Sequence, residues 1–345
     1  MPILTALAIG TLGGALFDWL RLPLPWMLGA MAATTAASIA GVPQRVPGKL
    51  RQTMVVVIAV MLGSAFTPDV LPRLEAWAIS LIGVIVYVVA ATLLVLILFR
   101  KSFGHDPLTS LLCATPGGLG EMVVLAQANG ADDRLVALSH STRVFIVVMV
   151  LPFWFRFVEG YVPPVQSVPG LGLFAFDPAE FALLAACGVA GYFAATWLKL
   201  PAAPLIGPLG LSAIVHLTGL SSHRPPWEIV ALAQVVMGSA VGARFAGVPF
   251  AEVRRMAVAG SASAAILLSL TVVFAWVLHH LTGLSMQSLV LSFAPGGLAE
   301  MSLVALALDI DTAFVSTHHA TRMISVVLTM PFLIQWLMRR RGTKV

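Results

Sequence analysis

Charge is scarce in this sequence. Charged residues make up only 10% of its 345 residues and hydrophobic residues make up 59%, whereas a typical soluble domain has about 25% charged residues. A soluble chain of this length could not cover its surface with so few charged side chains. The composition therefore excludes an ordinary soluble protein and indicates a chain that lies in a lipid bilayer.

Other absences exclude whole classes of function. The two cysteines, Cys113 and Cys187, lie in apolar segments without the spacing of metal ligands or of a disulfide framework. The net charge of +5 comes from Lys and Arg residues scattered between apolar runs, not from a basic stripe that would bind nucleic acid. No phosphate-binding loop is present, so ATP hydrolysis by this chain alone is not expected. We expect no enzymatic activity, no metal and no bound cofactor.

The amino terminus lacks the basic region that precedes the apolar core of a signal peptide. Seven of its positions carry the same or a similar residue 178 positions later. They are Gly13, Trp19, Leu20, Arg21, Leu22, Pro23 and Gly29, which return as Gly191, Trp197, Leu198, Lys199, Leu200, Pro201 and Gly207. The first apolar segment is therefore predicted to belong to a repeated unit.

A second pair of matching stretches interrupts the apolar sequence, at residues 115–122 (TPGGLGEM) and 294–301 (APGGLAEM). Proline lacks a backbone donor and paired glycines accept positive φ, so Pro-Gly-Gly breaks a helix. In lipid the freed backbone groups find no water, so a break survives only inside protein or beside a water-filled cavity. Each break is therefore a candidate site, the alternative being an ordinary surface turn.

Ten apolar segments have roughly the 17–25 residues that a membrane helix needs. They lie at about 2–20, 24–41, 50–67, 76–99, 134–156, 179–198, 203–220, 227–246, 256–280 and 312–338. The Pro-Gly-Gly stretches at 107–130 and 285–309 have arms of only about ten residues, which favours segments that re-enter the membrane. The sequence thus predicts an all-α polytopic membrane protein with a first membrane repeat at 1–156, a linker at 157–178 and a second repeat at 179–345.

The placement of Lys and Arg favours two inverted repeats of about five transmembrane helices. With re-entrant Pro-Gly-Gly segments, fourteen of these residues fall inside and four outside, and both termini are cytoplasmic. If each segment crosses fully as a broken helix, the distribution is eleven against seven. Positive charge accumulates on the cytoplasmic side of membrane proteins, so the inverted arrangement is preferred and the broken crossing helix remains the alternative.

The breaks and the acids behind them form the first group of candidate site residues. Each break begins a half-helix, whose free N–H groups and partial positive charge suit an anion. The predicted substrate-binding glycines are Gly117, Gly118, Gly296 and Gly297. Glu121 and Glu300 lie in the first turn after them. They are interpreted either as helix caps or as sites for a coupling Na⁺ or H⁺.

The last helix of each repeat carries the second group. His140-Ser141-Thr142-Arg143 returns as His319-Ala320-Thr321-Arg322. An arginine in the middle of a membrane helix costs about 2.5–3.5 kcal/mol on insertion scales and needs a partner. Arg143 and Arg322 are interpreted either as ion-pair partners of the glutamates or as ligands of a substrate carboxylate. His140 and His319 are either packing side chains or proton relays.

These paired motifs resemble the AbrB-duplication family of bacterial membrane proteins, from Gly13 to Phe332. That family has been described both as a regulator of gene expression and as an ammonia monooxygenase. The residues contain neither a DNA-binding module nor a copper or iron ligand cluster.

The Gly-Gly-Leu-Gly segment at 117–120 is also similar to the hairpin tips of the 2-hydroxycarboxylate and sodium–glutamate transporters, although Ala299 replaces the last glycine in the second copy. This similarity implies five-plus-five inverted helices with re-entrant hairpins, and transport of small organic anions, often coupled to Na⁺ or H⁺.

The sequence therefore predicts a secondary transporter of a small organic anion in the bacterial inner membrane, which works by alternating access. The alternative is a membrane-embedded regulator or sensor that affects gene expression indirectly. The expected partners are the lipid bilayer and the organic anion, with no nucleic acid. A homodimer is one assembly open to such a chain.

Overall fold

The computed structural model describes residues 1–160 and 171–340, and all regular structure within these ranges is helical. Part of the predicted linker at 157–178 lies outside the described residues. The α-helices are α1 (Pro2–Trp19), α2 (Pro25–Ile39), α3 (Gly48–Gly63), α4 (Leu74–Lys101), α5 (Pro107–Ala114), α6 (Leu119–Ala128), α7 (Asp133–Phe157), α8 (Pro178–Trp197), α9 (Ala203–Leu217), α10 (Trp227–Gly242), α11 (Phe250–Thr282), α12 (Met286–Phe293), α13 (Leu298–Ala307) and α14 (Thr312–Arg340). Short 3-10 turns follow α3, precede α8 and follow α10.

Within the described ranges, seven helices are long and apolar enough to cross a membrane. They are α1, α7, α8, α11 and α14, together with α4 and α10, each extended by its neighbouring 3-10 turn. Each coincides with one of the ten predicted segments. The architecture is that of an all-helical, multi-pass membrane protein.

The other three predicted spans are shorter helices. α2, α3 and α9 have 15, 16 and 15 residues, which is about 22–24 Å of helix against a hydrocarbon core of roughly 30 Å. α2 and α9 begin directly after residues with positive φ, Leu24 and Ala202. Positive-φ glycines, Gly41 and Gly219, follow their ends. Turn chemistry rather than apolar composition therefore sets the length of these two helices.

The described chain divides into two compact units, and each draws on both halves of the sequence. Unit 1 comprises Met1–Glu75, Val148–Arg254 and Ala299–Ser316, and unit 2 comprises Ala76–Val147, Arg255–Leu298 and Thr317–Val345, as far as these ranges are described. The predicted repeats, 1–156 and 179–345, are a different division of the chain and stay a prediction.

In unit 1, repeated glycines bring pairs of helices into backbone contact. Gly13 of α1 packs against Gly29 of α2, and Gly191 of α8 packs against Gly207 of α9. A Cβ atom at Gly13 would lie 2.3 Å from the carbonyl oxygen of Gly29, and one at Gly207 would lie 2.1 Å from that of Gly191. Small residues let membrane helices approach this closely, which explains why these four positions repeat.

α3 packs against the pair formed by α8 and α9, and α10 packs against the pair formed by α1 and α2. Gly63 of α3 contacts Ser212 of α9, and Gly242 of α10 contacts Thr34 of α2. The hydroxyl of Ser212 also donates to the carbonyl oxygen of Val60 at 2.7 Å. α3 thus contacts a helix from the second half of the sequence, and α10 contacts a helix from the first half. Neither half of unit 1 therefore completes its packing alone.

Unit 2 contains the first interruption and the start of the second. α5 ends at Ala114 and α6 begins at Leu119, while α12 ends at Phe293 and α13 begins at Leu298. Both interruptions coincide with the Pro-Gly-Gly stretches, as the sequence predicts. α5 and α6 contact each other. Re-entry of either stretch, as opposed to a full crossing, stays a prediction.

The close packing of glycines in unit 1 predicts that an added methyl group destabilises the protein at residue 207 of α9 but not at residue 210. Gly207→Ala places a Cβ against the backbone of Gly191, and overpacking of this kind costs about 1–3 kcal/mol. We expect a lower melting temperature for this variant in detergent, measured by the intrinsic fluorescence of the purified protein. Gly210→Ala is the matched control on the same helix, because its Cβ would meet nothing within 4 Å. Equal melting temperatures for the two variants would contradict the packing described here.

Candidate functional site

The carboxyl end of α5 is held by two side chains of α7. Nε2 of His140 donates to the carbonyl oxygen of Leu112 at 2.8 Å, and Nη1 of Arg143 donates to that of Cys113 at 3.3 Å. The last carbonyls of a helix have no partner within the helix, and lipid offers none. Residues three apart lie on the same helix face, so His140 and Arg143 reach consecutive carbonyls and satisfy the interrupted end of α5.

A similar arrangement occurs at the end of α12, but there the arginine reaches the residues that follow the helix. Nε2 of His319 donates to the carbonyl oxygen of Leu291 at 2.9 Å, and Nη1 of Arg322 donates to that of Ala294 at 2.6 Å. Nη2 of Arg322 also donates to the carbonyl oxygen of Gly296, inside the break. The histidine contact is therefore repeated at the equivalent residue, whereas the arginine contacts lie further along the chain in the second copy.

These contacts define the protonation of His140. A carbonyl oxygen only accepts, so Nε2 of His140 carries a hydrogen, and Nδ1 accepts from Nη2 of Arg143 at 3.0 Å. His140 is thus a neutral imidazole with both nitrogens used, which favours the packing interpretation. Nδ1 of His319 is buried without a partner among the described residues, so His319 keeps one acceptor for a proton or a ligand.

Arg143 and Arg322 form a centre of buried positive charge. They are 2% and 4% exposed, and they lie within electrostatic range of each other and of Tyr87. Among the described residues, neither arginine forms an ion pair. Each guanidinium has five N–H donors and uses two in these contacts, and Nε of Arg143 is buried without a partner in the described chain. Such a centre is suited to an anion.

The glycines of the first break are closely packed. A Cβ at Gly117 would lie 2.9 Å from Cγ1 of Val326, and a Cβ at Gly118 would lie 2.0 Å from a carboxylate oxygen of Glu121. Gly118 is the N-cap of α6, and Glu121 is the third helical residue, from which a carboxylate folds back over the cap. This geometry favours capping by Glu121. The alternative ion pair between Glu121 and Arg143 is not formed among the described residues.

In the second break, Gly296 is buried and Gly297 is half-buried. Glu300, also half-buried, is the one predicted site residue that belongs to unit 1. There it lies within electrostatic range of Arg244, in the 3-10 turn after α10. The structure thus places the four glycines, both arginines, both histidines and Glu121 in unit 2, and assigns Glu300 to a different group of neighbours.

Sequence reasoning missed the polar side chains that α4 and α11 add to unit 2. The hydroxyl of Tyr87 is fully buried and lies 3.1 Å from Oγ1 of Thr271, which donates to the carbonyl oxygen of Phe293 at 3.2 Å. Ser80 and His318 are both buried, and Oγ of Ser80 lies 2.8 Å from Nε2 of His318. Tyr87 could have been identified from the sequence, because it is one of only three tyrosines in the chain and lies in an apolar run.

A metal site has no evident ligands in the part of the chain that the structure describes. Within residues 1–160 and 171–340, no three His, Cys, Asp or Glu side chains are grouped so that they could hold a metal ion. The absence of a metal from the protein itself stays a prediction. The chemistry that the site offers is anion binding by guanidinium and backbone groups.

Comparison with known proteins places this site in a family. Residues 26–338 match the family described as "Transition state regulatory protein AbrB". The chain is similar to "Uncharacterized protein YhjN" of Bacillus subtilis (strain 168), with 28% identity over 363 residues that cover 98% of this chain and 94% of the relative. It is also similar to "Putative regulator AbrB" of Escherichia coli (strain K12), with 24% identity over 320 residues, 92% of this chain and 91% of the relative. These matches confirm the resemblance seen in the paired motifs, and the chain belongs to the AbrB family.

Proposed function

We propose that this protein is a secondary transporter of a small organic anion. The observation that carries the proposal is the pair of buried arginines, Arg143 and Arg322, with spare donors and no ion pair among the described residues. Leaving a buried charge uncompensated is strongly unfavourable. A carboxylate offsets that cost, because the planar guanidinium fork binds it bidentately. The substrate class is therefore a small carboxylate or dicarboxylate.

The Pro-Gly-Gly breaks supply the rest of the proposed site. Gly118 caps α6 without a side-chain hydrogen bond, so the first N–H groups of that helix are available to an anion that displaces the Glu121 carboxylate. Anions bind at such helix starts because of the free donors and the helix dipole. Gly117, Gly118, Gly296 and Gly297 keep the backbone of both breaks free of side chains.

We further propose the inverted topology that the charge distribution favours. The first break enters from the cytoplasm and the second from outside, in the inner membrane, with both termini cytoplasmic. Transporters of this kind bind substrate near the midplane, at interrupted helices, and expose it to each side in turn by rigid-body movement of one bundle. Glu121 and Glu300 are the proposed sites for a coupling Na⁺ or H⁺, and His319 provides a free acceptor beside Arg322.

Arg322→Gln tests the proposed anion site. In proteoliposomes given ¹⁴C-labelled malate, succinate or glutamate, we expect wild-type uptake of at least one of these probes. Loss of a hydrogen bond to a charged group costs about 1.5–3 kcal/mol, so apparent affinity is expected to fall about 10- to 100-fold in the variant.

Arg339→Gln is the control for this experiment, since Arg339 is exposed and lies near the end of the same helix, α14. The expected result is wild-type uptake. Size-exclusion chromatography shows whether each variant is folded. Wild-type affinity in a monodisperse Arg322→Gln protein would contradict an anion site at this arginine.

Glu121→Gln separates capping from ion coupling. Glutamine serves at the third helical position as well as glutamate does, so a residue that only caps tolerates the change. If Glu121 binds the coupling ion, uptake by the variant no longer responds to an imposed Na⁺ or H⁺ gradient, while Glu121→Asp keeps a response. Unchanged gradient dependence in Glu121→Gln would remove Glu121 from the coupling mechanism.

A membrane-embedded sensor is the second candidate, favoured by the word "regulator" in the name of the Escherichia coli relative. A sensor binds the anion without moving it. Stabilisation of the purified protein by an anion in a thermal shift assay, with no uptake of the same anion by proteoliposomes, identifies the sensor. Uptake identifies the transporter.

A further inference from the structure

Unit 2 contains a cavity that is separate from the buried arginines. It has a volume of about 580 Å³ and lies between α4, α5 and the second half of α14. Its lining is almost entirely apolar, from Val88, Leu93 and Leu96 on α4 to Met330 and Leu333 on α14. A volume of this size falls in the range of about 300–1,000 Å³ that is typical of ligand sites.

One end of this cavity is cationic. Arg100 lines it in the last turn of α4 and is exposed. Among the described residues, Arg100 has no ion pair or hydrogen bond to another side chain. Since α4 has 28 residues, it is about 42 Å long and exceeds the roughly 30 Å hydrocarbon core. Arg100, at its end, is therefore placed at the depth of lipid headgroups.

The dimensions of the cavity match one leaflet of a bilayer. Its lining on α4 runs from Val88 to Arg100, which is about 18 Å of helix, close to half of the roughly 30 Å core. Several lining side chains are exposed on the outer surface, including Val89, Leu93 and Phe332. The cavity therefore opens along its length to the surrounding lipid.

We propose that this cavity binds one acyl chain of an anionic phospholipid, whose phosphate is held by Arg100. The apolar walls complement the chain, and the cation at one end complements the phosphate. Basic pockets between membrane helices recognise anionic headgroups in this way. A zwitterionic phospholipid offers the same chain, but its ammonium group offsets the attraction of its phosphate to Arg100.

The inner end of the cavity lies beside the first break. Thr115 lines it, directly before the Pro-Gly-Gly stretch, and donates to Leu111, which also lines it. Val326 lines it from α14 and packs against Gly117. A bound acyl chain thus contacts the residues that fix the end of α5, so occupancy is expected to stabilise that interrupted helix.

Native mass spectrometry of the delipidated full-length protein tests this inference. Phosphatidylglycerol and phosphatidylcholine with identical acyl chains are titrated separately, and bound lipid is counted. We expect tighter binding of phosphatidylglycerol to the wild type. Because one basic side chain near the membrane surface contributes about 1 kcal/mol, Arg100→Gln is expected to weaken that binding about fivefold. Lys101→Gln is the matched control, since Lys101 carries the same charge at the next position and does not line the cavity.

A second variant tests the chain-binding part of the cavity. Leu93→Trp fills part of the cavity without removing Arg100, and it is expected to lower binding of both lipids. Equal affinity of the wild type for the two lipids would overturn the proposal, and so would equal effects of Arg100→Gln and Lys101→Gln. Binding of inorganic phosphate that competes with phosphatidylglycerol at equal concentration would also overturn it, because the acyl chain would then contribute nothing. None of these outcomes depends on transport activity.

Discussion

The requirement that every backbone carbonyl in lipid has a partner governs the interrupted helices of unit 2. A Pro-Gly-Gly break leaves the last carbonyls of α5 and α12 without helical partners. At each break, a histidine on a later helix donates to a carbonyl of the helix end, and an arginine one turn further on donates to carbonyls of the helix end or of the break itself. Because the donors are positively charged or neutral and point at the negative end of a helix dipole, the arrangement is electrostatically favourable as well.

The same constraint produces the proposed anion site. Arginine is the side chain that can satisfy carbonyls and still keep N–H donors in reserve. Hydrogen bonds to backbone carbonyls fix Arg143 and Arg322, and neither forms an ion pair among the described residues. In the proposed transporter, the bound anion supplies the missing negative charge. In this proposal, structural capping and substrate binding are two uses of one guanidinium group, so the alternatives raised by the sequence are not mutually exclusive.

Unit 1 provides a contrast, because its helices are joined by backbone contact rather than by charge. Gly13 with Gly29 and Gly191 with Gly207 give two equivalent tight pairs, and α3 and α10 cross between them. Contacts of this kind are dense and leave the helices little freedom to move. The repeated sequence thus specifies two kinds of packing, one for each unit.

Much of this could be predicted from the sequence. Apolar composition gave the helical membrane class, and the doubled Pro-Gly-Gly gave the position of both breaks. The repeated His-x-x-Arg spacing identified four side chains that the structure does place at the ends of the interrupted helices. Their acceptors could not be predicted, since sequence spacing does not say which of the carboxylates or carbonyls a buried arginine meets. α2 and α9 begin where the sequence predicts, but they end at Ile39 and Leu217, two or three residues earlier than predicted, just before the positive-φ glycines Gly41 and Gly219.

The most direct measurement is sided thiol labelling of the two breaks. Single cysteines at the equivalent positions Leu119→Cys and Leu298→Cys are introduced into a protein with Cys113→Ala and Cys187→Ala, and a membrane-impermeant reagent is applied to right-side-out and inverted vesicles. Inverted re-entrant segments predict labelling of Leu119→Cys from the cytoplasmic side and of Leu298→Cys from the outside. Labelling of both positions from the same side would contradict the inversion, and with it the alternating-access mechanism.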